Sequence, residues 1–542
     1  MVDSRDLFVL PESLGQRLVG LSEDNHSDDA LTYASPLLVV SEDPKLVAHG
    51  RGLVAKSSIK AGELLFVHPP TIKAEISQVL RIYKNKASGS TKNGPETIEG
   101  VASSSSLLES IAETVLLKEM KRAVRGRKKE SIARTVASFL ALNSDHSTKH
   151  KGETAEANAC NSEKEEEGES QRLLRVLLGR GSADKTEKIL EQCGDSIDDN
   201  DYLLGIIRHN AFGPDFHHYH RMESELSKSN KNNNSTGSAA FYSRILGHYP
   251  LAAMINHSCG PTNATRVFYK EIMVATATQA IPAGKEILWP YCPPISPFLV
   301  RDEQLKNCYG FSCLSSNRSV LEKRAYESGI PPPEIPVGFE NENPSGGGGG
   351  GSSENSAGTQ LGLKQWEIIL KSLDVWYKVV AAKIELSATS SNGIQKQQQL
   401  LQHGLRLGHT HLYIRYFNEA LQQKKMQDFS EESLASIVRE AEKLHLAFSA
   451  VHNASTEHLS LLHLCYELSA TKFTSPHDNN GRDAIRFWTE ELKEAHMCRY
   501  SKHVVGRDLA TLRTVLKHTR TVLRTQDGWK NSGGRNGINS FI

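Results

Sequence analysis

Net charge of either sign, long apolar runs and a secretory signal are all lacking, and each absence excludes something. The 64 basic and 63 acidic residues leave a formal charge of +1, so no broad electrostatic field draws the chain to nucleic acid or to an anionic membrane. No stretch approaches the roughly 18 apolar residues of a membrane span. Met1–Asn25 has no apolar segment followed by a cleavage signature, so no secretory signal is read there. The expected setting is therefore intracellular, cytoplasmic and/or nuclear. Eight cysteines in 542 residues are too few for a disulfide scaffold and are read as free thiols or metal ligands. Apolar residues make up 38 %, low for a chain globular throughout, so part of it is expected to be linker or disordered.

What is present divides the chain. Residues 1–36 carry little pattern. From Leu37 to Pro70, short apolar runs (Leu38–Val40, Leu53–Ala55, Leu64–Val67) alternate with the turns Gly50-Arg51-Gly52 and Ile59–Glu63, which describes a small β-fold. Leu107, Ile111, Val115, Leu116 and Met120 then recur at helical spacing, ahead of a run of six basic residues within Lys121–Lys129. Asn143–Gln171 is acidic and polar and reads as a disordered insertion, and 224–240 reads as a flexible loop. The β-type signal resumes from Phe241 to about Tyr291. Six consecutive glycines, Gly346–Gly351, mark a linker. Beyond it, Trp366, Ile369, Leu370, Leu373 and Trp376 share a helical face, as do Leu434, Ile437, Val438, Ala441, Leu444, Phe448 and Val451. Residues 361–527 are thus expected to be an all-α domain, with a TPR-like arrangement open because no repeat period is clean. Residues 528–542 form a tail.

The chemistry-bearing pattern lies at Asn256-His257-Ser258-Cys259-Gly260-Pro261, followed by Ala280-Ile281-Pro282-Ala283-Gly284-Lys285-Glu286-Ile287 and Tyr291. Together with Gly50-Arg51-Gly52-Leu53-Val54-Ala55, Asn210-Ala211-Phe212 and Tyr309-Gly310-Phe311-Ser312-Cys313, these motifs resemble, in order, those of SET domain protein lysine methyltransferases. Gly247-His248-Tyr249-Pro250 brings the resemblance nearest to the SET-and-MYND subfamily, although residues 75–159 hold none of the cysteines of a MYND finger.

The resemblance implies an α+β fold: small SET-type β-sheets with a knot-like crossing and helical or disordered insertions at 76–200 and 224–240, within a domain spanning 37–292. A degenerate post-SET segment at 293–320, a Gly-rich linker at 321–360 and the helical domain follow. It implies methyl transfer from S-adenosylmethionine to lysine side chains of a histone or non-histone protein, with Tyr291 as the catalytic residue. Gly50, Arg51, Gly52, Asn210, Asn256, His257, Tyr291 and Phe311 would hold the cofactor, and Tyr249, Tyr309 and Phe311 would line the lysine channel. No metal ligand is assigned. The family's post-SET zinc needs four sulfurs, and Ser315 and Arg318 stand where two of the cysteines should be, so zinc is expected to be absent. Cys292 and Cys308 are the remaining sulfurs from which a site could be rebuilt. The expected partners are a protein bearing the target lysine and further proteins docked on the helical domain, with no membrane and no direct nucleic-acid contact. The rival reading is a catalytically inactive SET-fold scaffold.

Overall fold

The computed structural model describes residues 33–41, 43–47, 51–89, 104–125, 203–204, 207, 210–213, 245–269, 271–313, 316–333, 362–384, 391–425, 431–472 and 479–501. Gly50, Ser315, the 143–171 insertion, the 224–240 loop, the glycine linker and the tail lie outside them. The chain forms two compact units: Met1–Asn256 with Ala264–Ile287 and Tyr500–Thr514, and His257–Asn263 with Leu288–Arg499 and Val515–Ile542.

The first unit is built on small antiparallel sheets. β4 (Leu64–His68) is buried along its whole length, which fits its unbroken apolar sequence. It lies between β1 (Tyr33–Ala34) and β10 (Ile272–Ala277), and β9 (Ala264–Tyr269) completes the order β1-β4-β10-β9. β2 (Leu38–Ser41) pairs with β3 (Gly52–Ala55). β5 (Ile72–Glu75) and β6 (Ala211–Phe212) flank β7 (Ile245–His248). The turn before β4 ends on Gly62 at φ 75°, a left-handed conformation that glycine adopts without a Cβ penalty. Helices α1 (Ile76–Gly89) and α2 (Ser104–Arg125) bury Val79, Ile111, Val115, Leu116 and Met120 against Ile72 and Ala74 of β5. The helical spacing in the sequence marked that same stripe of α2.

The short helix α3 (Pro250–Ala253) starts on a proline, whose missing N–H costs nothing at a helix start, and leads into β8 (Asn256–His257). β8 pairs with β11 (Leu288–Trp289). In the second unit the turn after His257 is pinned by Ser258 N–H donating to Trp289 O at 3.1 Å and Asn263 N–H to Leu288 O at 3.1 Å.

The rest of the second unit is helical: α4 (Phe298–Tyr309), α5 (Asn317–Glu327), α6 (Leu363–Lys383), α7 (Ser391–Gly408), α8 (Thr410–Lys425), α9 (Glu431–Val451), α10 (Thr456–Lys472) and α11 (Asn479–Tyr500). α7 is the central element, packed on α5, α6 and α9. Trp366, Leu370 and Leu373 of α6 and Ile437, Ala441, Leu444 and Phe448 of α9 are buried, as their helical periodicity required. No helix among the described residues is long and apolar enough to cross a membrane.

The second unit also buries many histidines. Burial pushes His403, His411 and His445 down to about 4, and His458 and His496 well below the usual value. A histidine neutral in the fold and charged when unfolded makes the unfolded state bind more protons. Stability is then full above the unfolded value of about 6.5 and is lost as pH falls, on the order of 1 kcal/mol per pH unit for each such residue. Thermal melts between pH 7 and 5 are expected to show a steadily falling transition for this unit; a flat profile would refute the neutral-histidine reading.

Candidate active site

In the first unit, the motif residue Asn256 acts as a clamp. Its Nδ2 donates to Arg51 O at 3.1 Å and to Glu286 Oε1 at 2.7 Å. β3 is held from both sides, by Leu53 N–H on Met254 O (3.1 Å) and by Ile287 N–H on Leu53 O (2.7 Å). The side chain of Asn256 therefore fixes the backbone at Arg51. Gly52 is required here by close approach. A Cβ at this position would lie 2.7 Å from Glu286 Oε1 and 2.7 Å from Val47 Cγ1. Gly52→Ala is expected to destabilise this unit by about 1–3 kcal/mol. Denaturant melts check this, and an alanine variant with an unchanged midpoint would contradict the packing.

Tyr249 is fully buried. Its hydroxyl donates to Glu271 O at 2.6 Å, and its ring packs edge-on against Phe212 and Phe268, with centroids 6.3 and 5.8 Å away. Asn210 is half-buried immediately before β6.

In the second unit the structure gathers His257, Tyr291, Tyr309 and Phe311. Ring centroids are 4.9 Å apart for Tyr291–Tyr309, 5.3 Å for His257–Tyr291, 6.0 Å for His257–Phe311 and 6.3 Å for Tyr309–Phe311. Gly310, left-handed at φ 74°, caps α4 by donating to Lys306 O, so the chain turns sharply between Tyr309 and Phe311. The three aromatic residues are partly exposed, and they pack on buried Cys259, Cys292, Leu305 and Cys313. His257 is oriented at both ring nitrogens: Nδ1 accepts from Tyr291 N–H at 2.9 Å, and Nε2 lies 3.1 Å from Cys259 Sγ.

Behind the cysteines lies a buried ionic group that sequence reading missed. Arg301 of α4 donates its Nε–H to Cys259 Sγ at 3.4 Å, and it pairs with Glu322 of α5. Arg318 pairs with Glu322 at 2.9 Å and donates to Cys259 O (3.0 Å), Pro294 O (2.8 Å) and Gly404 O of α7 (3.2 Å). The signal was present in the spacing. Phe298, Arg301 and Leu305 share the buried face of α4, and Arg318, Leu321, Glu322 and Ala325 share that of α5.

Residues 50–292 match the SET domain family. A 127-residue stretch is 33 % identical to a protein named "Methyltransferase" from Gibberella zeae, covering 23 % of this chain and 17 % of that one. A 68-residue stretch is 38 % identical to histone-lysine N-methyltransferase ASHR1 of Arabidopsis thaliana, covering 12 % and 14 %. The matched segments thus span only a small part of either relative. Among solved structures, the SET domain of LSMT bound to lysine and AdoHcy aligns over 96 % of this chain and 93 % of its own at 12 % identity, with a TM-score of 0.23, too low to carry an argument about fold or activity. The matched stretch contains Arg51, Gly52, Asn210, Tyr249, Asn256, His257 and Tyr291. Tyr309, Phe311, Cys313 and Arg318 follow it.

Proposed function

We propose that the protein is a protein-lysine N-methyltransferase that transfers the methyl group of S-adenosylmethionine to a lysine side chain of a histone or non-histone protein. The observation that carries this reading is the Tyr291–Tyr309–Phe311 cluster beside His257, at the end of a stretch that matches the SET domain.

The chemistry needs little covalent help. S-adenosylmethionine, when bound, supplies a methyl carbon on a cationic sulfur. The lysine amine must be neutral to attack it, whereas free lysine has a pKa of about 10.4. Apolar walls disfavour the ammonium form and release its proton to water. The amine nitrogen then bonds the methyl carbon as the carbon–sulfur bond breaks. The faces of Tyr291, Tyr309 and Phe311 attract a cationic or methylated amine. The Tyr291 hydroxyl aligns the transferring methyl, and alignment supplies much of the rate. Gly52, Asn256 and the backbone they fix at Arg51 contribute to the cofactor site, together with Gly50, Asn210, His257 and Phe311. Tyr249 contributes to the channel, and the helical domain offers surface for substrate or partner proteins.

The test pairs two measurements on the full chain: calorimetry with S-adenosylmethionine, and transfer of its labelled methyl to histones and to lysate proteins. Saturable binding with label recovered on lysine supports the reading. Absence of both would sink it.

A further inference from the structure

The Cys259 cluster looks at first like a metal centre. His257 Nε2, Cys259 Sγ and Cys313 Sγ lie within 4.8 Å of one another, all buried, and Cys292 is hydrogen-bonded to Cys259. Three sulfurs and one imidazole suit zinc by type. Their hydrogen bonds do not. A histidine that ligates through Nε2 carries its proton on Nδ1 and donates it to an acceptor. Here the Nδ1 of His257 faces the backbone N–H of Tyr291 at 2.9 Å, so Nδ1 must be the acceptor. The proton then sits on Nε2 and points at Cys259 Sγ, 3.1 Å away. His257 is a donor to that sulfur, which removes it as a ligand and leaves three sulfurs.

The same sulfur accepts from a further donor, Arg301 Nε–H, at 3.4 Å, whereas the Cys313 thiol donates to Ser316 Oγ at 3.5 Å. Two N–H donors, one of them a guanidinium, converging on one buried sulfur call for an anion. The charge balance around it agrees. Arg301 and Arg318 are 0 % exposed and share the single carboxylate of Glu322, 2 % exposed, which leaves one buried positive charge to be matched. The neighbouring titratable groups do not match it. Burial keeps His409 neutral, burial and Glu322 keep the Tyr326 phenol protonated, and Asp302 is paired with Lys306.

We infer that Cys259 is a buried thiolate that takes the place of a metal ion as the anion of this centre, and that it acts as a positioning residue. It anchors His257, and through it the backbone of Tyr291, to the Arg301–Glu322–Arg318 group and so to α7. The neighbouring Cys292 and Cys313 side chains, then the His257 hydrogen bond and the charge of Arg301, hold the Cys259 thiol far below its usual pKa. Each partner thiol is held up by its bond to Cys259 and by burial. Gly404 lets α7 come this close: a Cβ there would lie 2.7 Å from Glu322 Oε1 and 3.0 Å from Arg318 Nε.

The catalytic consequence rests on the methyltransferase reading, whereas the thiolate itself does not. The experiment uses the full chain produced in zinc-supplemented medium. Elemental analysis is expected to find far less than one zinc per chain. Ultraviolet thiolate absorbance is expected at a pH of about 6, more than two units below an ordinary thiol's pKa. It should persist on the unmutated protein down to the acid unfolding transition, vanish in Cys259→Ser and survive in Cys308→Ser, a substitution at an exposed cysteine. In methyl transfer, Cys259→Ser should lower kcat by roughly 10- to 100-fold with KM for S-adenosylmethionine little changed. One zinc per chain that chelation removes, or no thiolate absorbance in the unmutated protein, overturns the inference. If Cys259→Ser does not fold, the acid titration and the zinc content of the unmutated protein still decide. If the unmutated protein transfers no methyl but keeps the thiolate band, the functional reading fails and the thiolate stands.

Discussion

Tyr291→Phe is expected to lower kcat for methyl transfer by about 100-fold or more while leaving S-adenosylmethionine affinity within a few-fold. The substitution removes one oxygen. The phenyl ring can still make the 4.9 Å contact with Tyr309 and the 5.3 Å contact with His257, and the backbone N–H that His257 Nδ1 accepts is untouched. Ground-state binding therefore survives. The loss falls on alignment and stabilisation of the methyl in flight, where one well-placed polar group is worth on the order of 3 kcal/mol. Single-turnover kinetics with calorimetric affinities separate the two effects. A variant with normal kcat would remove Tyr291 from the chemistry.

The second large effect is on stability. In Glu322→Gln, two fully buried guanidinium groups lose the carboxylate they share. Breaking a buried ion pair from one side costs about 3–5 kcal/mol, because the remaining charge is stranded. Against a total stability of roughly 5–15 kcal/mol that is a large share. For a unit of this size it corresponds to a fall of about 10 °C in Tm. Circular dichroism at helical wavelengths reads it directly. A melt within a degree or two of the unmutated protein would mean that solvent reaches the Arg301–Glu322–Arg318 group. Arg318→Met is expected to cost less, because Arg301 and Glu322 remain paired.

The residues that carry the proposed chemistry could be found in the sequence because they are rare types in a fixed order. Asn256-His257-Ser258-Cys259 with Tyr291 and Tyr309-x-Phe311 is improbable as surface filler, and the structure brings His257, Tyr291, Tyr309 and Phe311 within one aromatic cluster. The strands were legible for another reason. Leu64–Val67 is an unbroken apolar run between Gly62 and Pro69-Pro70, and it pairs with the largely apolar Met273–Thr276 in the first unit's main sheet. The buried ionic group escaped because charged residues in helices are read as solvated. Arg301 sits in Arg301-Asp302-Glu303, a surface-like triplet, and its partner Glu322 is on the next helix. Nothing local distinguishes a guanidinium that snorkels to water from one locked in a core. Only the apolar neighbours at helical spacing, Phe298 and Leu305, gave the position away. The protonation of His257 was likewise out of reach, since it depends on a backbone N–H 34 residues away in sequence.

The central claim is best tested by mapping where the methyl goes. Lysate is incubated with S-adenosylmethionine carrying a deuterated methyl group and either the unmutated chain or Tyr291→Phe, and modified peptides are read by mass spectrometry. The account predicts heavy methyl on the side-chain nitrogen of lysine in one or a few proteins, present with the unmutated chain and nearly lost with the variant. Equal labelling with both proteins, or heavy methyl on residues other than lysine, would contradict it.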